Sequence, residues 1–170
     1  MKTATAAAPA PVTSLDPMNV PVSISASALP KGFRFGSAAC GLRRKNRLDL
    51  GMIVAENSAS VAGVFTSNLV KAAPVLLCQD HLKKSAARIR ALVVNSGNAN
   101  CANGPGGMRA SKATAKVAAR ALKCSPEQIL VCSTGVIGVP LPVDKIVAAL
   151  PELAHNAVSS ASSYEEFTHA

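Results

Sequence analysis

Two clusters of small polar residues are the parts of this sequence whose types and spacing could support chemistry. The first, residues 95–107, follows a short β-branched run and combines closely spaced asparagines with four glycines. A loop of this kind between a strand and a helix can turn backbone N–H groups toward an anion. It matches neither the dinucleotide fingerprint nor the P-loop. Its residues leave two interpretations open, a structural Asx-turn loop or a loop that forms a site.

The second cluster, Ser133–Gly138, follows the apolar run 129–132 and places small hydroxyl residues directly before a glycine. It is expected to present a hydroxyl and free N–H groups at the rim of a sheet, donors suited to an oxyanion hole in acyl transfer. An ordinary strand-to-loop turn is the alternative. A nucleophile here would need a base, but His81, His155 and His169 lie in polar segments and are expected at the surface. No G-x-S-x-G elbow surrounds the serine, so we expect no histidine-based triad within the chain.

The elements that must position these clusters follow from hydrophobic periodicity. A strand is expected to begin after Lys31-Gly32, and further strands are predicted over 48–55, 61–66, 75–78, 89–94 and 129–132. Helices are predicted over 108–123, for one turn at 125–128, over 143–150 with Pro151 as its end, and from about residue 162. Strands with intervening helices indicate an α/β or α+β sandwich whose sheet is mixed rather than purely parallel.

Composition narrows the classes of function. The chain has 170 residues, and the 49% that are apolar exclude wholesale disorder. Only 3% are aromatic, which argues against a protein that binds RNA or single-stranded nucleic acid. The net charge is +9, and residues 31–123 hold sixteen Lys and Arg against three acidic residues, a net of +13. Such a lobe attracts anions. The densest basic run, 43–47, fits a solvated loop, nucleic-acid contact, or steering of a substrate or subunit.

Cysteine spacing and the N-terminal segment indicate the cellular compartment in which the protein is expected. The five cysteines include no C-x-x-C pair and no histidine at ligand spacing, so we expect reduced thiols, no metal site and a cytoplasmic location. Cys78 and Cys132 stand in apolar runs and are expected to be buried. No run of eighteen apolar residues predicts a membrane span. Residues 1–29 are expected to be a flexible extension and 30–170 the folded domain; a transit peptide is the alternative, with Lys2 as its only base.

Six ordered motifs carry a resemblance to one family. They are Pro30-Lys31-Gly32-Phe33; Gly41-Leu42-Arg43 with Asp49-Leu50; Ala62-Gly63-Val64-Phe65-Thr66 with Asn68; Ala72-Ala73-Pro74-Val75; Ala91 through Asn100; and Ser133 through Gly138 with Leu141-Pro142. In order and spacing the chain resembles the ornithine acetyltransferases, also called glutamate N-acetyltransferases, which are bifunctional enzymes of arginine biosynthesis.

The resemblance implies a mixed-sheet α/β sandwich of the self-processing type, incomplete at its C-terminus. Members transfer acetyl from N-acetylornithine to glutamate, some also use acetyl-CoA as donor, and no bound cofactor is implied. Their precursor cleaves itself into α and β chains, and the first threonine of the β chain becomes the acetylated nucleophile. By position, Thr134 and Gly135 would form the oxyanion hole. The implied partner is the β chain or missing C-terminal part, in an α2β2 heterotetramer, with no nucleic-acid or membrane partner.

Two departures from the family pattern bear on function. Cys101-Ala102-Asn103-Gly104 stands where the family usually has Ala-Cys-Thr-Gly, which removes a threonine hydroxyl. Ala170 precedes the family's Thr-Thr-Asp-Thr segment and cleavage site, so the nucleophile is expected outside this chain, and the chain alone is expected to be inactive. The alternatives are a non-catalytic basic binding module and part of a self-processing aminopeptidase of similar fold.

Overall fold

The computed structural model describes residues 29–43 and 47–170. Its sheet has four strands, β1 (Phe33–Ala38), β2 (Leu50–Ser60), β3 (Arg88–Asn95) and β4 (Ile129–Ser133), which neighbour one another in chain order. β1, β2 and β3 pair antiparallel, whereas β3 and β4 pair parallel. The expected mixed sheet is therefore confirmed. The predicted 1–29 extension lies almost wholly outside the described residues.

Four helices accompany the sheet: α1 (Ala73–Lys84), α2 (Gly104–Ala121), α3 (Val143–Asn156) and α4 (Ala161–His169), with a 3-10 turn at Pro126–Gln128. Two glycines show which faces of the sheet α3 and α4 cover. A Cβ on Gly36 would lie 3.0 Å from Leu153 of α3, and a Cβ on Gly51 would lie 2.8 Å from Phe167 of α4. Gly36 is paired with Met52, the residue after Gly51, so α3 and α4 lie on opposite faces of the sheet.

The main core lies between the sheet and α1, α2 and α3. Alternate β2 residues Leu50, Met52 and Val54 are fully buried there, as the period of two in a strand requires. The helix side of this core is rich in alanine, and small side chains let the helices approach the sheet closely. Four buried alanines of α2 make this contact: Ala110, Ala115, Ala118 and Ala119.

Helix α1 satisfies the outer edge of β4, where backbone groups would otherwise lack strand partners. The Cys78 thiol donates to the Val131 carbonyl (3.1 Å) and accepts from the Val131 N–H (3.4 Å). His81 Nδ1 lies 2.7 Å from the Ile129 carbonyl oxygen and donates to it. The expectation of an exposed His81 is wrong: this imidazole is buried, because it pairs the edge of β4 that α1 covers.

Two predicted strands are wrong. Residues 61–66 form no strand, and Val64 is 100% exposed. The last residue of β2, Ser60, pairs with the first residue of β3, Arg88, so the chain after Ser60 has no strand partner there. Residues 75–78 belong to α1 instead. Pro74 lies in its first turn, and Leu77, Cys78 and His81 are buried at helical spacing. An apolar run of four residues is too short to distinguish the two periods.

Pro151 does not end α3, contrary to expectation, since the helix continues to Asn156. Leu153 and Ala154 remain buried on the face that Leu150 begins. Burying a leucine side chain contributes roughly 1.5–3 kcal/mol, which offsets much of the roughly 3 kcal/mol that proline costs inside a helix.

Cys132 is exposed, contrary to expectation, whereas Cys78 is buried as expected. Val131 faces the core, so its neighbour Cys132 points to the opposite sheet face. On that face an apolar groove of about 180 Å³ is lined in part by Ile53, Leu92 and Leu130. In the described part of the chain, no helix has both the length and the apolar character needed to cross a membrane.

Candidate functional site

The two polar clusters meet at the carboxyl ends of β3 and β4. These strands run parallel with Asn95 opposite Ser133, so the loops that follow them leave the sheet side by side. The Thr134 N–H donates to the Asn95 carbonyl (3.0 Å), which carries the pairing one residue beyond β4. The Ala99 N–H then donates to the Val136 carbonyl (2.9 Å). The two loops are therefore joined through their backbones.

Gly135 is held against the other loop so closely that no side chain fits. A Cβ at this position would lie 2.2 Å from the Gly97 carbonyl carbon and 2.4 Å from the Asn98 nitrogen. Its φ of +134° is also one that residues with a side chain rarely adopt. Glycine is thus required here by both space and backbone conformation.

Thr134 and Gly135, the predicted site residues, line an open cleft of about 620 Å³ at this strand end. Thr134 is exposed, and its N–H is already used by Asn95. Within residues 29–43 and 47–170, neither the Thr134 hydroxyl nor the Gly135 N–H has a hydrogen-bond partner. Thr134 and Gly135 therefore offer the cleft one hydroxyl and one backbone N–H. Their role in catalysis stays a prediction.

The remaining asparagines of the first loop serve its own structure. Asn98 Oδ1 accepts from the Asn100 N–H (2.8 Å), which is an Asx turn, and Asn100 Nδ2 donates to the Gly107 carbonyl (2.9 Å). Asn103, at the departure from the family pattern, donates to the Val139 carbonyl (2.9 Å) and so ties this loop to the one after β4. Of the two interpretations left open, these contacts favour the structural one for the three amides.

Asn95 and Ser133 fix the two strand ends to each other. The Ser133 hydroxyl donates to Asn95 Oδ1 (2.6 Å), and Asn95 Nδ2 donates to the Asn98 carbonyl (2.9 Å). Both side chains are occupied by these contacts. The hydroxyl that remains free at the rim is that of Thr134, not that of Ser133.

Asp49 is a structural support that sequence reasoning did not identify. Its fully buried carboxylate accepts backbone N–H groups from Cys40 (2.7 Å), Leu42 (2.6 Å) and Arg43 (3.0 Å). Burial raises the pKa of this carboxyl, but the hydrogen bonds from Arg43, Cys40 and Leu42 together outweigh burial and hold its pKa below the ordinary value. A lone acidic residue next to the apolar run of β2 is the sequence feature that could have indicated this role.

The Asp49 contacts place Leu42 and Arg43 in the wall of the cleft beside Thr134. A Cβ on Gly97 would lie 2.6 Å from Arg43 Cγ and 3.2 Å from the Leu42 carbonyl oxygen. This packing brings a guanidinium-bearing side chain to a cleft whose other named donors are neutral. An anionic group entering the cleft would be attracted to it.

The described residues near the cleft supply donors but no nucleophile of lowered pKa. Burial, followed by the hydrogen bond and charge of Asp49, raises the pKa of the Cys40 thiol to about 12, so it stays protonated. Among residues 29–43 and 47–170, no group of three His, Cys, Asp or Glu side chains is placed to hold a metal ion. The arrangement is suited to stabilising negative charge on an oxygen.

Comparison with known proteins places this strand-end geometry in context. The model of the ArgJ family matches residues 34–170. A protein of Gloeobacter violaceus named arginine biosynthesis bifunctional protein ArgJ is 48% identical over 132 residues, which cover 78% of this chain and 32% of the relative. The protein of the same name from Geobacter sulfurreducens is 46% identical over 123 residues, 72% of this chain and 31% of the relative. The chain thus spans about a third of the length of these curated relatives.

Two solved structures share the fold. The arginine biosynthesis bifunctional protein ArgJ of Bacillus halodurans superposes with a TM-score of 0.78 at 35% identity, covering 85% of this chain and 73% of that one. The ornithine acetyltransferase of Mycobacterium tuberculosis, solved in complex with ornithine, gives a TM-score of 0.79 at 38% identity over 88% of this chain and 79% of that one.

Proposed function

This chain belongs to the ArgJ family, and from that premise we propose that it is the part of an ornithine acetyltransferase that stabilises negative charge on the acetyl carbonyl oxygen. The observation that carries the proposal is the pair of unpartnered donors in the cleft, the Thr134 hydroxyl and the Gly135 N–H.

The proposed chemistry is acyl transfer in two stages. A nucleophilic oxygen attacks the acetyl carbon, the carbonyl electron pair moves onto its oxygen, and the resulting oxyanion accepts hydrogen bonds from Thr134 Oγ and Gly135 N. When the carbonyl re-forms, the C–N bond breaks, the ornithine nitrogen takes up the proton that the nucleophilic hydroxyl released, and an acetyl ester remains on the enzyme. The amine of glutamate then attacks the same carbon, and the new oxyanion is stabilised by the same donors. As the carbonyl re-forms a second time, the ester C–O bond breaks and the amine's proton returns to the enzyme hydroxyl.

Preorganisation is what makes two such donors effective. Gly135 cannot shift toward Gly97 without collision, and Thr134 is held through its own N–H by Asn95. Donors that are already oriented cost no rearrangement when charge develops on the oxygen. Arg43, in the wall of the same cleft, would attract the carboxylates of the amino-acid substrates.

The remaining features of the proposal concern polypeptide outside these 170 residues. The nucleophile is a threonine exposed by self-cleavage, the assembly is an α2β2 heterotetramer, and the reaction takes place in the cytoplasm. Acetyl-CoA is a further acetyl donor to be tested. The 32% share of the Gloeobacter violaceus relative that this chain covers leaves ample sequence for the nucleophile.

The test is the Thr134→Ala variant of a longer protein, in which this chain is joined to the segment of an ArgJ relative that it does not cover. We expect the kcat for acetyl transfer from N-acetylornithine to glutamate to fall about 10²–10³-fold, as when one oxyanion donor is removed elsewhere. Thr134→Ser, which keeps the hydroxyl, is the matched control and should retain most activity.

An unchanged kcat in Thr134→Ala would remove Thr134 from the mechanism. A second measurement tests whether the nucleophile lies outside this chain. The 170-residue chain by itself is expected to show no acetyl transfer. Turnover by that chain alone would contradict a nucleophile located outside it.

A further inference from the structure

A second cleft, at the other end of the sheet, is lined by four basic side chains, and we propose that it binds a phosphate-type oxyanion. The cleft has a volume of about 400 Å³, and its basic lining consists of Arg34, Arg90, Lys123 and His155. Arg90 precedes Asn95 by five residues of β3, which separates their backbones by about 16 Å, so this cleft is distinct from the one lined by Thr134 and Gly135. The proposal does not depend on the proposed function.

The two guanidinium groups are held in place by backbone carbonyls. Arg34 Nη1 donates to the Ala157 carbonyl (3.2 Å) at the end of α3. Arg90 Nη1 donates to the Ala55 and Glu56 carbonyls, at the irregularity in the β2–β3 pairing. Each guanidinium carries five N–H donors, so these contacts leave further donors for a ligand. Planar groups that are already oriented lose less entropy when they bind an oxyanion.

Among residues 29–43 and 47–170, no carboxylate lines this cleft or pairs with its basic side chains within 4 Å. The ion pair within 4 Å in this part of the chain is that of Lys84 with Asp80, and neither residue lines this cleft. Residues at the C-terminal ends of α2 and α3 line the cleft, and these helix ends contribute roughly half a negative charge each. Two Arg and one Lys exceed this, so the cleft keeps a net positive charge.

Phosphate is the chemistry that this lining fits. Guanidinium groups match the geometry of phosphate oxygens, and a lysine adds a point charge on a flexible stem. His155 supplies an N–H donor from the exposed face of α3. The lining has no carboxylate to repel a dianion. The ligand is either free phosphate or the phosphoryl group of a small phosphomonoester.

The test is a titration of the isotopically labelled 170-residue chain with inorganic phosphate, followed by amide NMR shifts at constant ionic strength with chloride as reference. We expect saturable shifts confined to residues around Arg34, Arg90, Lys123 and His155. A parallel titration with a nucleoside monophosphate separates the two sources, because tighter binding of the ester identifies a phosphomonoester and equal binding identifies free phosphate.

Lys123→Asn is the decisive variant. Lys123 has a φ of +52°, a conformation that asparagine tolerates well, so the variant should fold while losing the charge. We expect the phosphate Kd to rise about fivefold, and Lys123→Arg to restore it. Lys116→Gln, which removes one exposed charge on α2 away from the cleft lining, should leave the Kd unchanged. Shifts that do not saturate, or an equal loss in Lys116→Gln, would overturn the proposal.

Discussion

The two ends of the β3–β4 pair differ in how they are built. At the carboxyl end, loops are joined by backbone hydrogen bonds and neutral amides, and Gly135 approaches Gly97 too closely for a side chain. At the amino end, the basic side chains Arg90 and Lys123 line an open cleft. The first end holds a few atoms in exact positions, whereas the second concentrates charge. Substitutions of the close-packed glycine at the carboxyl end should therefore act mainly on stability, and substitutions of the basic side chains at the amino end mainly on ligand attraction.

Gly135→Ala should have the largest effect on stability. The added Cβ meets the backbone of Gly97 and Asn98, and the φ of +134° is unfavourable for alanine, so we expect a loss of about 3–5 kcal/mol in the free energy of unfolding. Gly138→Ala is the matched control. Gly138 also has a positive φ, of +79°, but nothing lies within 4 Å of its added Cβ, so the loss should be about 1–2 kcal/mol.

Urea unfolding of the two variants measures this difference. Equal losses in Gly135→Ala and Gly138→Ala would mean that backbone strain alone matters at both positions. In that case the close contact between the two loops would not stabilise the carboxyl end.

Asp49→Asn should have the next largest effect, a loss of about 2–3 kcal/mol in the free energy of unfolding at neutral pH. An amide cannot replace a charged acceptor of three N–H groups. The loss should depend on pH. The folded pKa of Asp49 lies below the ordinary unfolded value of about 3.9, so its stabilisation is complete above that value and disappears as the pH falls through the folded pKa.

The measurement is the free energy of unfolding of both proteins between acid and neutral pH. The wild-type protein should lose its advantage over Asp49→Asn as the pH falls below about 4. A difference that stays constant down to the most acid pH would show that the carboxylate charge does not stabilise the loop around Leu42.

His81→Leu should have the smallest of these effects, because it removes one hydrogen bond at the amino end of β4. The Ile129 carbonyl would be left without the imidazole donor, at a cost of about 1–2 kcal/mol in unfolding free energy. His169→Leu, at an exposed position of α4, should change stability by less than about 0.5 kcal/mol. If the two histidine variants lost the same stability, α1 would not be protecting the β4 edge through His81.

Much of the fold could be predicted from periodicity, and the errors have common causes. The apolar runs of β2 and β3, with the turn residues that flank them, indicated strands, and the alanine-rich face of α2 extends over enough residues to define a helical period. The four apolar residues 75–78 do not, and they proved to be helical. Pro151 was expected to end α3 because local preference disfavours it there, but burial of Leu153 on the same helix face carries the helix past it.

The strand-end pattern indicated donors at the rim of the sheet, and the family resemblance assigned them to Thr134 and Gly135. The structure places both residues in one cleft, and their role in catalysis stays a prediction. That the Thr134 N–H is already engaged by Asn95 depends on the register of β3 against β4, which no local pattern contains. Asp49 stood in a resemblance motif without an assigned role for the same reason, since its N–H donors come from a turn that only the folded chain brings to it.

The sequence by itself determined the family resemblance, the mixed α/β character and the two strand-end clusters, because motif order and hydrophobic period are properties of the chain alone. Only the tertiary structure decided which donors remain free, which carboxylate supports the cleft and where four separated basic residues meet. Arg34 and His155 are 121 positions apart and line one cleft because β1 and α3 pack together. Such contacts depend on packing between distant segments, which local periodicity does not specify.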